Sequence, residues 1–167
     1  MAAWLHVDPL TPDDLRAAMA NCSKGEAKRL NPPADLASTP WAETELLGWR
    51  DPKAPQKAYL VAPYDDRVVG LVLRTPDRVS GRPVMCDLCR TTHSAGGVAL
   101  LVAPRPGARG RDGDTVGTYL CTDLQCSRYA RRTTATAEVR PAPGLEPQER
   151  VAQLAERVSA FVARVLT

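Results

Sequence analysis

Apolar residues recur at mostly three- and four-residue steps through Val151, Leu154, Val158, Phe161, Val162, Val165 and Leu166, with Glu149, Arg150, Gln153, Glu156, Arg157 and Arg164 between them. That period predicts an amphipathic helix over 147–166, polar on its second face. Near the other end, Thr11 precedes Pro12, Asp13 and Asp14. The four supply an N-cap, a proline at the first helical position and an acid at the third. Leu10 and Leu15 are placed to staple the turn, so a short helix is expected over 12–20. Two β-branched runs, 57–63 (KAYLVAP) and 67–74 (RVVGLVLR), flank Tyr64, Asp65 and Asp66 and predict an antiparallel hairpin. Gly70 inside the second run marks a bulge or a close backbone approach. Further strands are expected over 98–103 and 117–120, and residues 122–132 have helical character. Asn21, Ser23 and Gly25 read as a turn. The stretches 31–56 and 104–117, broken by prolines and glycines, carry neither period, and 133–146 is a weakly hydrophobic link. Within the first of these, Trp41, Leu46, Leu47 and Trp49 fall within nine residues, and the two tryptophans are expected to plug the core, the alternative being an exposed partner-binding patch.

Together these elements predict an α+β fold, a small antiparallel sheet with flanking helices, in two parts: residues 1–146, and a helix at 147–167 packed on them or extending from them. At 167 residues the chain suits one domain with a useful core. Aromatic content is 5% and there are 15 prolines, which points to a thin, loop-rich core that a metal would help to hold. No apolar run approaches the roughly 20 residues that span a bilayer, and the amino terminus lacks a signal pattern, so a cytoplasmic protein is expected.

The cysteines sharpen this picture. Two residues separate Cys86 from Cys89, four separate Cys121 from Cys126, and about thirty separate the pairs. Paired spacing in a chain without a secretory signal favours metal ligands over disulfides, and four thiolates can close a tetrahedral Zn²⁺ site. A CxxC knuckle, a hairpin and a helix whose first turn carries the fourth ligand describe a treble-clef zinc finger, here at about 84–132. A closed shell makes the metal structural. His93 could in principle replace one cysteine, but a solvent-facing position or one beside the ligands suits it better. Cys22, the fifth cysteine, reads as a small buried or half-exposed thiol.

Charge changes the picture further. Residues 1–73 carry 8 basic and 10 acidic side chains, whereas residues 74–132 carry 10 arginines against 5 aspartates. Part of that excess offsets the negative charge of four thiolates on one zinc, and the remainder is available to an anionic partner. Candidate contacts are Arg90, Arg128, Arg131 and Arg132 near the finger. Lys24, Lys28 and Arg29 form a second patch, open to reading either as a solvated face or as a phosphate or acidic-surface contact. No GxSxG, HExxH or GxxxxGK[ST] occurs, so no enzyme is expected.

The CDLC motif, the GRDGDTVGTYLC run and the following DLQCSRYARR resemble the C-terminal treble-clef domain of the elongation factor G-binding family, of the fusidic-acid-resistance type. The upstream stretches SKGEAKRL and WRDPKAPQKAYLV are similar to segments of stand-alone relatives. The resemblance implies one structural zinc on Cys86, Cys89, Cys121 and Cys126. It also implies a non-enzymatic adaptor that binds elongation factor G at or near the ribosome and helps to release it. The rival reading is a zinc finger whose arginines bind ribosomal RNA directly.

Overall fold

The structure, a computed structural model, describes residues 6–131, 140–141 and 144–167. Helix α1 (Pro12–Ala18) starts where Thr11 and Asp14 close a reciprocal capping box, and Leu15 is its buried residue. A second capping box, Ser23 with Glu26, starts α2 (Lys24–Lys28) in place of the expected turn, so Gly25 lies inside a helix.

Strands β1 (Leu47–Arg50), β2 (Lys57–Tyr64), β3 (Arg67–Arg74), β6 (Val98–Pro104) and β7 (Thr115–Cys121) form one antiparallel sheet in the order β1-β2-β3-β6-β7. Between β3 and β6 the chain makes β4 (Val84–Met85) and β5 (Thr91–His93), which join β8 (Arg140–Pro141) in a small second sheet. The fold is thus α+β, as expected. Strand β1 and the single helical turn α3 (Ala108–Arg111) lie in the two stretches that carried no period. β1 was missed because its residues, Leu47–Arg50, are too few to alternate visibly. Helix α4 (Cys126–Arg131) follows β7, and α5 (Pro147–Leu166) ends the described chain. Among the described residues no helix is long and apolar enough to cross a membrane.

The pleat divides β2 and β3 between two cores. Ala58, Leu60, Ala62, Val69, Leu71 and Leu73 face a larger core that includes the four finger cysteines and α5. Tyr59 and Val61 face Leu15, Leu30, Leu47 and Trp49 in a smaller one. Trp49 is buried there with its Nε1–H donating to the Asn31 carbonyl at 2.8 Å, and Trp41 packs half-buried against the same group. Gly70 is a close approach, because a Cβ there would lie 2.3 Å from Met19 Cε. α5 lays Leu154, Val158, Phe161, Val162 and Val165 on the larger core. Arg150, expected on the polar face, is buried instead. It donates to the carbonyls of Ala130 and Leu145 at 2.7 and 2.6 Å, closing the end of α4.

Strands β3 and β6 share only the pair Arg74↔Val102. Where they part, buried Asn21 takes the place of a ladder: its Nδ2 donates to Val72 O at 3.0 Å and Pro104 O at 2.9 Å, and its Oδ1 accepts from Val72 N at 2.7 Å. One side chain thus completes the hydrogen bonding of two strands. Asn21→Ala removes all three bonds and is expected to cost about 1–3 kcal/mol in urea denaturation.

Candidate metal centre

The knuckle forms because β4 and β5 pair across a tight turn, Val84 opposite His93 and Met85 opposite Thr92. Cys86 N–H donates to Thr91 O at 3.0 Å, and Arg90 N–H returns to Cys86 O at 3.0 Å. On the other side Leu124 N–H donates to Cys121 O at 2.9 Å before α4 begins at Cys126. Arg90 and Leu124, at φ 57° and 60°, both hold the left-handed conformation that side chains rarely adopt. Two turns that accept this strain flank one cluster, which is where over-determined backbone is expected.

Asp87 fastens the two halves together. Its N–H donates to Tyr119 O at 2.8 Å, and its carboxylate accepts from Tyr119 N–H at 2.8 Å and the Thr118 hydroxyl at 3.2 Å. The knuckle therefore sits against β7 just upstream of Cys121.

The four thiols converge. Cys86, Cys89, Cys121 and Cys126 are buried, and their sulfurs all lie within 4.8 Å of one another. Cys86 and Cys126 sulfurs are 3.7 Å apart, those of Cys89 and Cys121 3.5 Å. A zinc–sulfur bond of about 2.3 Å in a tetrahedron puts sulfurs about 3.8 Å apart, so the spacing fits that ion. The protonation chemistry fits as well. Hydrogen bonding from Cys121 and then from Cys126 and Cys86 holds Cys89 far below the usual thiol range, while Cys121, Cys86, Cys89 and burial push Cys126 up. Four buried thiolates side by side repel one another, and a dication offsets their charge.

His93 is buried beside the sulfurs, its Nε2 3.3 Å from Cys121 Sγ, and the Tyr129 ring meets it edge-on at 4.5 Å. It faces the cluster from outside the four sulfurs and is not open to solvent. Cys22 is half-buried, apart from the cluster, and burial followed by the nearby Glu26 charge raises its pKa.

The candidate contact residues divide. Lys24, Lys28, Arg29, Arg90 and Arg128 are exposed. Arg131 turns inward and forms a two-pronged ion pair with Glu45, whose side chain is 1% exposed; its Nη1 is 2.6 Å from Oε2, and its Nη2 bonds Oε1. Arg132 lies outside the described residues. The Glu45 partner, 86 residues away, left no signal in the spacing of either residue.

A family model for the FBP C-terminal treble-clef zinc-finger matches residues 14–165, a span that takes in all but the last residue of α5. The solved structure of the fusidic acid resistance protein FusC shares the fold with a TM-score of 0.63 at 15% identity, over 96% of this chain and 60% of that one. This chain thus spans three-fifths of that protein's solved length. None of the curated proteins compared matches the chain.

Two outcomes follow from this geometry. Elemental analysis should give about one zinc per chain. Cys121→Ser should lower the melting temperature sharply and Cys22→Ser hardly at all; equal shifts would mean that the cluster does not hold the fold. Separately, Arg131→Ala strands a buried carboxylate and is expected to cost about 3–5 kcal/mol in equilibrium unfolding.

Proposed function

The chain belongs to the FBP C-terminal treble-clef zinc-finger family, and from that premise we propose that it is a non-enzymatic adaptor. Its finger docks elongation factor G at or near the ribosome, in the cytoplasm, and aids release of the factor. Cys86, Cys89, Cys121 and Cys126 hold the zinc. Four sulfurs leave a tetrahedral ion no position for water or substrate, so the metal supplies rigidity and no Lewis acid.

The observation that carries a protein partner over a nucleic acid is an apolar pair on the finger. Leu100 and Tyr119 stand opposite each other on β6 and β7, 42% and 46% exposed. An aromatic and an aliphatic anchor set on a rigid hairpin, with the exposed Arg90 on the adjoining knuckle, have the composition of a protein interface core and its rim. Arg90 and Arg128 would mainly set the rate and orientation of encounter. Asp87 ties the knuckle to the backbone of Tyr119, so the metal-held turn and the anchor move as one body.

Purified elongation factor G is expected to be retained on the immobilised chain. Tyr119→Ala combined with Leu100→Ser should weaken that retention at least about tenfold without releasing zinc. Unchanged retention by this variant would remove the finger hairpin from the interface.

A further inference from the structure

A cleft of about 290 Å³ lies away from the thiol cluster, walled by the ends of β2 and β3, the segment leading into α2, and residues 104–111. Four cations line it, Lys57, Arg74, Arg105 and Arg111, against the single carboxylate of Glu26. Lys57 opens β2 and Arg74 closes β3, and the ladder sets them directly opposite one another. Like charges in that position destabilise a hairpin. Neither side chain, nor that of Arg111, forms an ion pair among the described residues.

The walls of the cleft are fixed. Arg105 is bound to Asp114 at 3.1 Å and to the carbonyl of Arg164, so it shapes the wall without offering a free cation. Asn21 is held by three backbone bonds at the junction of β3 and β6. Glu26 is turned back onto the N–H of Ser23 at 3.1 Å. A solvated charged face scatters its cations, whereas here three of them, from three elements, converge unpaired on one concavity. Guanidinium groups in that arrangement match phosphate oxygens in pairs.

We propose that this cleft binds the phosphates of an RNA backbone. The positive surface extends past the cleft along α2, whose Ser23–Glu26 end forms the wall and which exposes Lys24, Lys28 and Arg29. A track longer than one phosphate suits a polyanion. Among the described residues no aromatic lines the cleft, so they offer no platform for stacking bases, and recognition is independent of sequence. The proposal rests on the adaptor reading only for where RNA is met, at the ribosome. It uses a surface separate from the Leu100–Tyr119 pair, so both contacts can be made at once.

The test is fluorescence anisotropy of the zinc-loaded chain with a labelled twelve-residue uridylate RNA. Lys57→Gln, Arg74→Gln and Arg111→Gln combined should lose about tenfold or more in affinity at low salt. The slope of log affinity against log salt should fall by about 2, since each single-strand phosphate contact contributes about 0.7. Arg67→Gln, at the turn end of the same hairpin, should stay within about twofold. Arg111→Glu alone, on an exposed turn, should reproduce most of the loss and guards against a folding defect in the triple variant. Wild-type chain that ignores the RNA, a triple variant that binds like wild type, or Arg67→Gln as damaging as the triple would each overturn the proposal. So would uridine monophosphate binding as tightly as the oligomer, which would make the cleft a mononucleotide pocket. Retention of elongation factor G by the triple variant, with RNA lost, is the expected pattern. Loss of the factor with RNA retained would assign the cleft to a protein contact.

Discussion

Four buried sulfurs have to meet at one point, and the second half of the chain is built to bring them there. Cys86 and Cys126 lie 40 residues apart, and closing a loop of that length costs chain entropy that no single thiol contact returns. A dication returns it four times over and at once removes the conflict between burial and thiolate charge. Backbone contacts hold the two halves of the site against each other. Asp87 holds the knuckle on β7 by three hydrogen bonds, and the left-handed residues Arg90 and Leu124 set the two turns. The sulfurs lie within 4.8 Å of one another on this frame, which fits a tetrahedral zinc.

The finger is also joined to the sheet that surrounds it. The sheet curls until its first strand meets the turn after its last: Gly48 lies under Leu124 with no room for a Cβ, and Arg50 Nε donates to Thr122 O at 2.9 Å. Beyond that seam Arg131 reaches Glu45, and Ser127 Oγ accepts the N–H of Glu45 at 3.1 Å. α5 covers the opposite side and donates from Arg157 to Leu88 O on the knuckle at 3.1 Å. A chain with one phenylalanine cannot rely on bulk for its core. It places Phe161 at the centre and ties the periphery with hydrogen-bonded arginines instead.

Local patterns were legible where each element carries its own instructions. The capped start of α1, the β2–β3 hairpin, the cysteine spacing and the period of α5 all reside in a few adjacent residues. What was not legible depends on distant partners or on very short elements. β1 is a strand because β2 offers it a complete ladder from Leu47 to Arg50, not because LGWR has a strand pattern. The box formed by Ser23 and Glu26 was present in the sequence, and the glycine between them led to a turn being read in place of α2. Arg150 and Arg131 were read as surface charge by residue type. Their carbonyl and carboxylate partners are set by tertiary packing, which no period records.

That misreading of arginines alters where the positive surface lies. The sequence puts a surplus of arginine around the finger, yet Arg105 and Arg109 share Asp114, and Arg131 is spent on Glu45. A guanidinium paired in this way contributes little field to a partner, because its charge is cancelled at contact distance. Lys57, Arg74 and Arg111, without an ion pair among the described residues, instead gather at the far end of the β2–β3 ladder, beside α2. The finger keeps an apolar pair on its hairpin and the exposed Arg90 on its knuckle, and the cleft keeps concentrated charge without an aromatic among the described residues. Two surfaces of such different chemistry are poorly explained by one partner and well explained by two, a folded protein on the metal-held hairpin and a polyanion at the other end of the sheet.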